Sequence, residues 1–96
     1  MRLDLSHEAQ ADIRDIYAYS LRHWGHRRAG DYIDHLRARM TALAAGDLPG
    51  KAADEVRPGL RRQLAGSHSI WCRAEGDGLR VVRVLHHGKD AGVGVG

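Results

Sequence analysis

The chain has 96 residues, with 15 Lys+Arg against 12 Asp+Glu, a net charge of +3, and a hydrophobic fraction of 43%. That length supports one core and excludes a second, and the apolar content, interspersed with charge, excludes a disordered chain. No stretch reaches the roughly 18 apolar residues of a membrane span, the acidic start MRLDLSHEAQADIRD lacks the apolar segment of a secretory signal, and the single cysteine, Cys72, can form neither an internal disulfide nor a zinc site by itself. The expectation is one cytoplasmic domain over residues 1–96 with no membrane association, cofactor or metal.

Leu3 and Leu5 alternate against Arg2 and Asp4, the period of a strand with one covered face. Ser6 is a suitable N-cap, and Glu8 suits the positive end of a helix. Ala9, Ile13, Ile16, Tyr17, Leu21 and Trp24 then draw one apolar stripe, which Gly25 stops; Trp24 is expected in the core of the helix pair. A second stripe runs through Ala29, Tyr32, Ile33, Leu36, Met40, Leu43 and Ala44 to Gly46, with Gly30 expected to mark a close approach of two helices. A break as short as Gly25 predicts an antiparallel helical hairpin.

Residues 47–58, DLPGKAADEVRP, hold both prolines without a sustained period and read as a connecting loop. Three short segments follow, Leu60 to Ala65, Ile70 to Ala74 and Leu79 to His86, separated by Gly-Ser and Glu-Gly-Asp-Gly, which predicts a three-stranded meander. Apolar residues on both faces of the last segment make it a central strand, with Leu3 and Leu5 beside it. Alternation directs Leu60, Leu64, Ile70, Cys72 and Ala74 toward the helices and Arg61, Gln63, Trp71 and Arg73 away, onto an open face. The glycine-rich end, residues 91–96, reads as a frayed tail. The predicted fold is therefore α+β, β-α-α-β-β-β, a two-helix hairpin on one face of a small antiparallel sheet.

Charge is unevenly placed. Residues 1–48 hold 7 basic and 7 acidic side chains, whereas residues 49–96 hold 8 and 5. The basic excess of the sheet half, together with an aromatic on its open face, makes Arg57, Arg61, Trp71, Arg73, Arg83, His86, His87 and Lys89 the candidate partner-binding set. Their Arg forks suit carboxylate or phosphate. A charge of +3 is too small for duplex DNA binding alone, so no direct sequence-specific nucleic-acid contact is expected. His23 and His26 flank a helix end without a third ligand nearby and read as surface. The glycines at 88, 92, 94 and 96 precede no helix, so no phosphate loop is present.

The segments Arg57-Pro-Gly-Leu-Arg61, His68-Ser-Ile-Trp-Cys-Arg73 and Arg83-Val-Leu-His86 with Asp90 resemble the ParE branch of the RelE/ParE toxins of bacterial toxin–antitoxin modules. Ala9, Asp12, Ile13, Ile16 and Tyr17, then Trp24-Gly25, then Ala29, Tyr32 and Leu36, are similar to the front of the same pattern. The resemblance spans residues 3 to 90. It implies a non-enzymatic toxin that traps the cleaved-DNA complex of DNA gyrase. A ParD-like ribbon-helix-helix antitoxin would neutralise it in a toxin–antitoxin hetero-oligomer, its acidic residues pairing with the Arg57 to Lys89 cluster. Cys72 departs from the family's usual aromatic, and the chain beyond His87 departs from the structured extension of many relatives.

Two other readings stand beside this one. His86 and His87 with Arg61, Arg73, Arg83 and Lys89 supply proton carriers and cations for metal-independent RNA cleavage, as in the RelE branch, with Glu55 as an extra base. Such enzymes typically carry a tyrosine near the C-terminus, and this chain has none after Tyr32. The third reading is a degenerate antitoxin-binding module without toxicity.

Overall fold

The structure, a computed structural model, describes residues 2–87. Strand β1 (Arg2–Leu5) leads into α1 (His7–Ala45), which is followed by β2 (Lys51–Ala52), β3 (Arg61–Ala65), β4 (His68–Glu75) and β5 (Gly78–His86). Ser6 starts the helix. Its Oγ accepts from the Ala9 N–H at 3.0 Å and donates to the Val82 carbonyl at 2.7 Å, so one side chain both caps α1 and ties it to β5. Gly46, in the left-handed conformation, ends α1 with its N–H and that of Asp47 directed at the carbonyls of Leu43 and Ala42.

The residues of α1 form two helices that meet at a non-helical Gly25, so the element is not straight. At ~1.5 Å per residue its 39 residues would span ~58 Å, whereas the longest dimension of the molecule is 37 Å. The chain reverses at Gly25, where φ 85 and ψ 175 fall in a region essentially restricted to glycine. The two arms, residues 7–24 and 26–45, form the expected hairpin. On the second arm Ala29, Ile33, Leu36, Met40, Leu43 and Ala44 are all buried, and all but Ala29 meet Ala9 and Ile16 of the first arm or the sheet in one core. Two expectations on the hairpin fail. Trp24 is 50% exposed, because it is the last residue before the reversal and no element lies beyond it. A Cβ on Gly30 would meet nothing within 4 Å, so no close approach requires glycine there.

The five strands form one sheet in the order β1-β5-β4-β3-β2. It is mixed rather than antiparallel. The β2 to β5 pairs are antiparallel, but β1 lies parallel to β5, with Leu3 opposite Leu79 and Leu5 opposite Val81. No tight turn joins β1 to β5, so nothing forces them antiparallel. The last strand is internal, as its two-sided apolar pattern predicts. Inside the segment read as a loop, Lys51 and Ala52 pair with Arg62 and Arg61 as the edge strand β2; two residues are too few to leave a periodic signal.

Register decides which face each side chain occupies. Ile70 and Cys72 face the helices as expected, in the main core with Val81 and Val84. On β3 the expected alternation is inverted. Gln63 pairs with Ile70 and Ala65 with His68, so Gln63 and Ala65 share the helical side, and Leu64 is left 48% exposed. Leu60 lies outside β3 and joins Ala53, Trp71 and Leu85 in a second apolar cluster on the other face. That cluster closes the face expected to be open. Residues 53–60 fold over it, held by the Ala53 N–H to the Leu60 carbonyl at 2.8 Å and the Gly59 N–H to Asp54 Oδ1 at 2.8 Å. On β5 the register shifts by one residue between Trp71 and Cys72: Trp71 pairs with Arg83, but Cys72 pairs with Val81. The extra residue flips the strand's faces, so Leu79, Val81 and Val84 reach the main core while Val82 and Leu85 reach the second cluster.

Candidate functional site

The flip in β5 places Arg83 at the point where the strand changes face, and its side chain reaches the first helical arm. Arg83 Nε donates to Asp12 Oδ2 at 2.8 Å and Nη2 to Oδ1 at 2.9 Å, a fork-to-fork pair; the Val84 N–H adds a third bond to Oδ2 at 2.9 Å. Hydrogen bonding to Asp12 raises the Arg83 pKa further, keeping the guanidinium permanently charged. Asp12 sits among Ala9, Ile13 and Ile16 on the buried stripe of α1. An acid within an apolar stripe requires a cation from elsewhere in the fold, and β5 supplies it.

Beside this pair runs a groove of about 1130 Å³ between the first arm and the end of the sheet. Tyr19 and Trp24 stand on its helical side and His68, Arg83 and His86 on its sheet side, with Tyr32 at one end. The Tyr32 hydroxyl accepts from the Ser67 N–H at 2.9 Å, shares a hydrogen bond with His68 Nδ1 at 2.5 Å, and lies within donating reach of the Ala65 carbonyl at 3.4 Å. This seals the β3–β4 turn against the second arm and holds the His68 ring in place. His68 lies opposite His86 in the ladder, and their rings meet edge to face at 5.6 Å. His87 Nε2 donates to the His68 carbonyl at 2.8 Å. Burial first, then the neighbouring His86 and His87, lowers the His68 pKa from 6.5 to about 4, against a smaller opposing pull from Asp12. Near neutral pH His68 is therefore an uncharged hydrogen-bond partner.

The sequence-predicted residues do not converge on one surface. Arg83 and His86 line the groove, and His87 buttresses it. Arg61 donates to the Pro49 carbonyl at 2.8 Å, at the sheet edge beside β2. Arg57 is exposed in the loop over the second cluster. Arg73 pairs with Glu75 at 3.3 Å on the far face. Trp71 does point away from the helices, but the 53–60 loop leaves it only 5% exposed, with the Arg62 guanidinium 5.7 Å from its ring centre. It is a core residue of the second cluster, not an exposed anchor. Lys89 lies outside the described residues. Cys72 is fully buried, and desolvation pushes its thiol up to about 11, so it remains protonated and inert.

Sequence reasoning missed the roles of Asp12, Tyr32 and His68. Asp12 carried a legible signal, its place within an apolar stripe. Tyr32 and His68 did not, because 36 residues separate them and each fits a bland reading alone.

The chain matches the family model for the ParE toxin of the type II toxin–antitoxin system parDE over residues 3–91. It is 40% identical over 87 residues to Toxin ParE1 of Mycobacterium tuberculosis, covering 90% of this chain and 89% of that protein. It is 37% identical over 87 residues to Toxin ParE1 of Caulobacter vibrioides, covering 91% and 90%, and 37% identical to Toxin ParE of Escherichia coli, covering 90% and 84%. Among solved structures, the fold matches a chain of the chromosomal ParDE toxin–antitoxin system of P. aeruginosa with a TM-score of 0.77 and 21% identity, covering 90% of this chain and 95% of that one. With the family pattern running from the first strand through the last and the fold in agreement, the chain belongs to the ParE toxin family of type II toxin–antitoxin systems.

Proposed function

We propose that the chain arrests growth by trapping the cleaved-DNA complex of DNA gyrase in the cytoplasm, and that a ParD-like ribbon-helix-helix antitoxin neutralises it by binding it in a hetero-oligomer. Family membership along residues 3–91 is the observation that carries this reading. The groove agrees with a toxin that works by contact rather than by catalysis. Phosphoryl chemistry needs a cation for developing charge and a side chain that exchanges protons near neutral pH. Here the Arg83 fork is engaged by Asp12, and His68 is neutral and bonded to Tyr32, which takes two of the groove's candidates out of those roles and leaves His86. The antitoxin's acidic residues have exposed arginines available at Arg57 and beside the sheet edge at Arg61.

One observation favours RNA cleavage as the second reading: Tyr32, distant in sequence from the C-terminus, joins His68 and His86 in the groove. Induction in cells separates the readings. Expression alone should arrest growth with a DNA-damage response and intact ribosome-bound mRNA, and co-expression of a ribbon-helix-helix partner should restore growth and co-purify with the chain. Cleaved mRNA without DNA damage would replace gyrase with the ribosome. Tight antitoxin binding with neither effect would identify a degenerate module.

A further inference from the structure

Although the helical half is neutral overall, its charge is segregated. Between Asp15 and Asp31 there is no acidic residue, but there are Arg22, Arg27 and Arg28, with Tyr19, His23, Trp24 and His26. Residues 22–28 are all exposed, and they form the turn of the hairpin. Among the described residues none of the three arginines is held in an ion pair.

The aromatic side chains at the same tip are exposed yet ordered against one another. Tyr19 and Trp24 are each 50% exposed. His23 Nδ1 donates to the Tyr19 carbonyl at 2.8 Å and stacks its ring on Tyr19 with centroids 3.9 Å apart, while Trp24 sits edge-on to Tyr19 at 6.0 Å. Gly25, whose backbone conformation only glycine adopts readily, sets Trp24 at the apex, with nothing within 4 Å of where its own Cβ would be. The fold gains little from these rings and holds them in place nonetheless.

Bare cations attract any polyanion, but flat, pre-ordered rings select among them. An acidic peptide has carboxylates for the arginines but offers a ring face only where it happens to carry an aromatic side chain. A duplex offers phosphates and keeps its base faces stacked inside. Unpaired nucleic acid offers both phosphates and exposed base faces, the combination recognised by Arg with Trp and Tyr. We propose that the tip of the helical hairpin is a contact site for unpaired DNA, with Arg22, Arg27 and Arg28 on the phosphates and Trp24 stacked on a base. The gyrase reading enters only as the place where such DNA is met, at the strand ends of the trapped cleaved complex.

The test is fluorescence anisotropy of the full chain with labelled oligothymidine of about 20 nucleotides, longer than the ~4–16 tracked by one aromatic groove, and with a duplex of equal length. Single-stranded DNA should bind more tightly than duplex. Between about 50 and about 200 mM salt the log–log slope should be about −2, as expected for three neutralised phosphates on a single strand. Trp24→Ala should weaken single-strand binding about tenfold. The triple variant R22Q/R27Q/R28Q should lose the salt-dependent binding while keeping the wild-type urea midpoint, since all three side chains are exposed. Absence of saturable binding at the lower salt, or a triple variant that binds as the wild type does, overturns the proposal. A triple variant that binds DNA normally but no longer affects gyrase also overturns it, in favour of a protein contact. Tip-dependent DNA binding by a chain that leaves gyrase unaffected upholds the proposal and removes the gyrase reading instead.

Discussion

Replacing Asp12 with alanine tests how the first helical arm is fastened to the sheet. Its carboxylate accepts three hydrogen bonds, two from Arg83 and one from the Val84 N–H, at 2.8 to 2.9 Å, with the Asp12 and Arg83 side chains 13% and 23% exposed. Alanine leaves the Val84 N–H without its acceptor beneath the first arm, which costs about 1–2 kcal/mol. The Arg83 guanidinium loses its carboxylate but borders the groove and can rehydrate. Its share is therefore ~1 kcal/mol, nearer a surface pair than the ~3–5 kcal/mol of a broken buried one. The expected loss is about 2–3 kcal/mol, equivalent to a Tm lower by roughly 10–20 °C for a domain of this size. Urea unfolding measures it as a lower midpoint at unchanged slope. Asp12→Asn, which keeps one oxygen for Val84, should lose about half as much. The double-mutant cycle with Arg83→Ala should return a coupling of at least ~1 kcal/mol. A loss below ~0.5 kcal/mol for Asp12→Ala, or additive single variants, would refute the reasoning, because the fork would then be an ornament on an arm held by apolar packing alone.

Three further outcomes follow from other contacts. Gly66→Ala should destabilise by about 2 kcal/mol or more, since the new Cβ would stand 2.6 Å from Tyr32 Cε1 at φ 57; adding Tyr32→Ala should recover part of the loss, and simple additivity would contradict the clash. Trp71→Ala should cost ~3–5 kcal/mol in urea unfolding, the loss of a large core side chain; a stable Trp71→Ala protein that only binds a partner more weakly would restore the surface role the sequence suggested. His68 has a lower pKa folded than unfolded, about 4 against 6.5, so the unfolded chain takes up its proton first. Its contribution is complete above about pH 6.5 and is lost as pH falls toward about 4. The urea midpoint should therefore fall more steeply over this range in the wild type than in His68→Gln, and parallel profiles would show that His68 is not held neutral.

Much of the fold was legible because its signals are local. The stripe from Ala29 to Ala44, the cap at Ser6, the break at Gly25 and the glycine turns between strands each rest on a few adjacent residues. Face assignment on β3 was not legible. The register pairs Arg61 with Cys72 and Gln63 with Ile70, so the odd-numbered residues take the helical side, Leu60 goes to the second cluster and Leu64 to solvent; no local pattern sets that register. The same limit applies to β5, where the extra residue opposite the Trp71–Cys72 step reverses the faces, so an alternating pattern cannot foretell that Arg83 meets Asp12. The basic excess of the sheet half was correctly counted, but counting assigns no direction. The fold sends Arg83 to the groove, Arg61 to the β2 edge and Arg73 to the far face, and gathers Tyr32 and His68 where no local pattern pointed.

Inhibition of gyrase is tested most directly with purified components: supercoiled plasmid, DNA gyrase and ATP, with and without the full chain, stopped by denaturing the protein before electrophoresis. Linear plasmid should accumulate with increasing toxin and disappear when the antitoxin is added first. Unchanged supercoiling and no linear product at saturating toxin would contradict it.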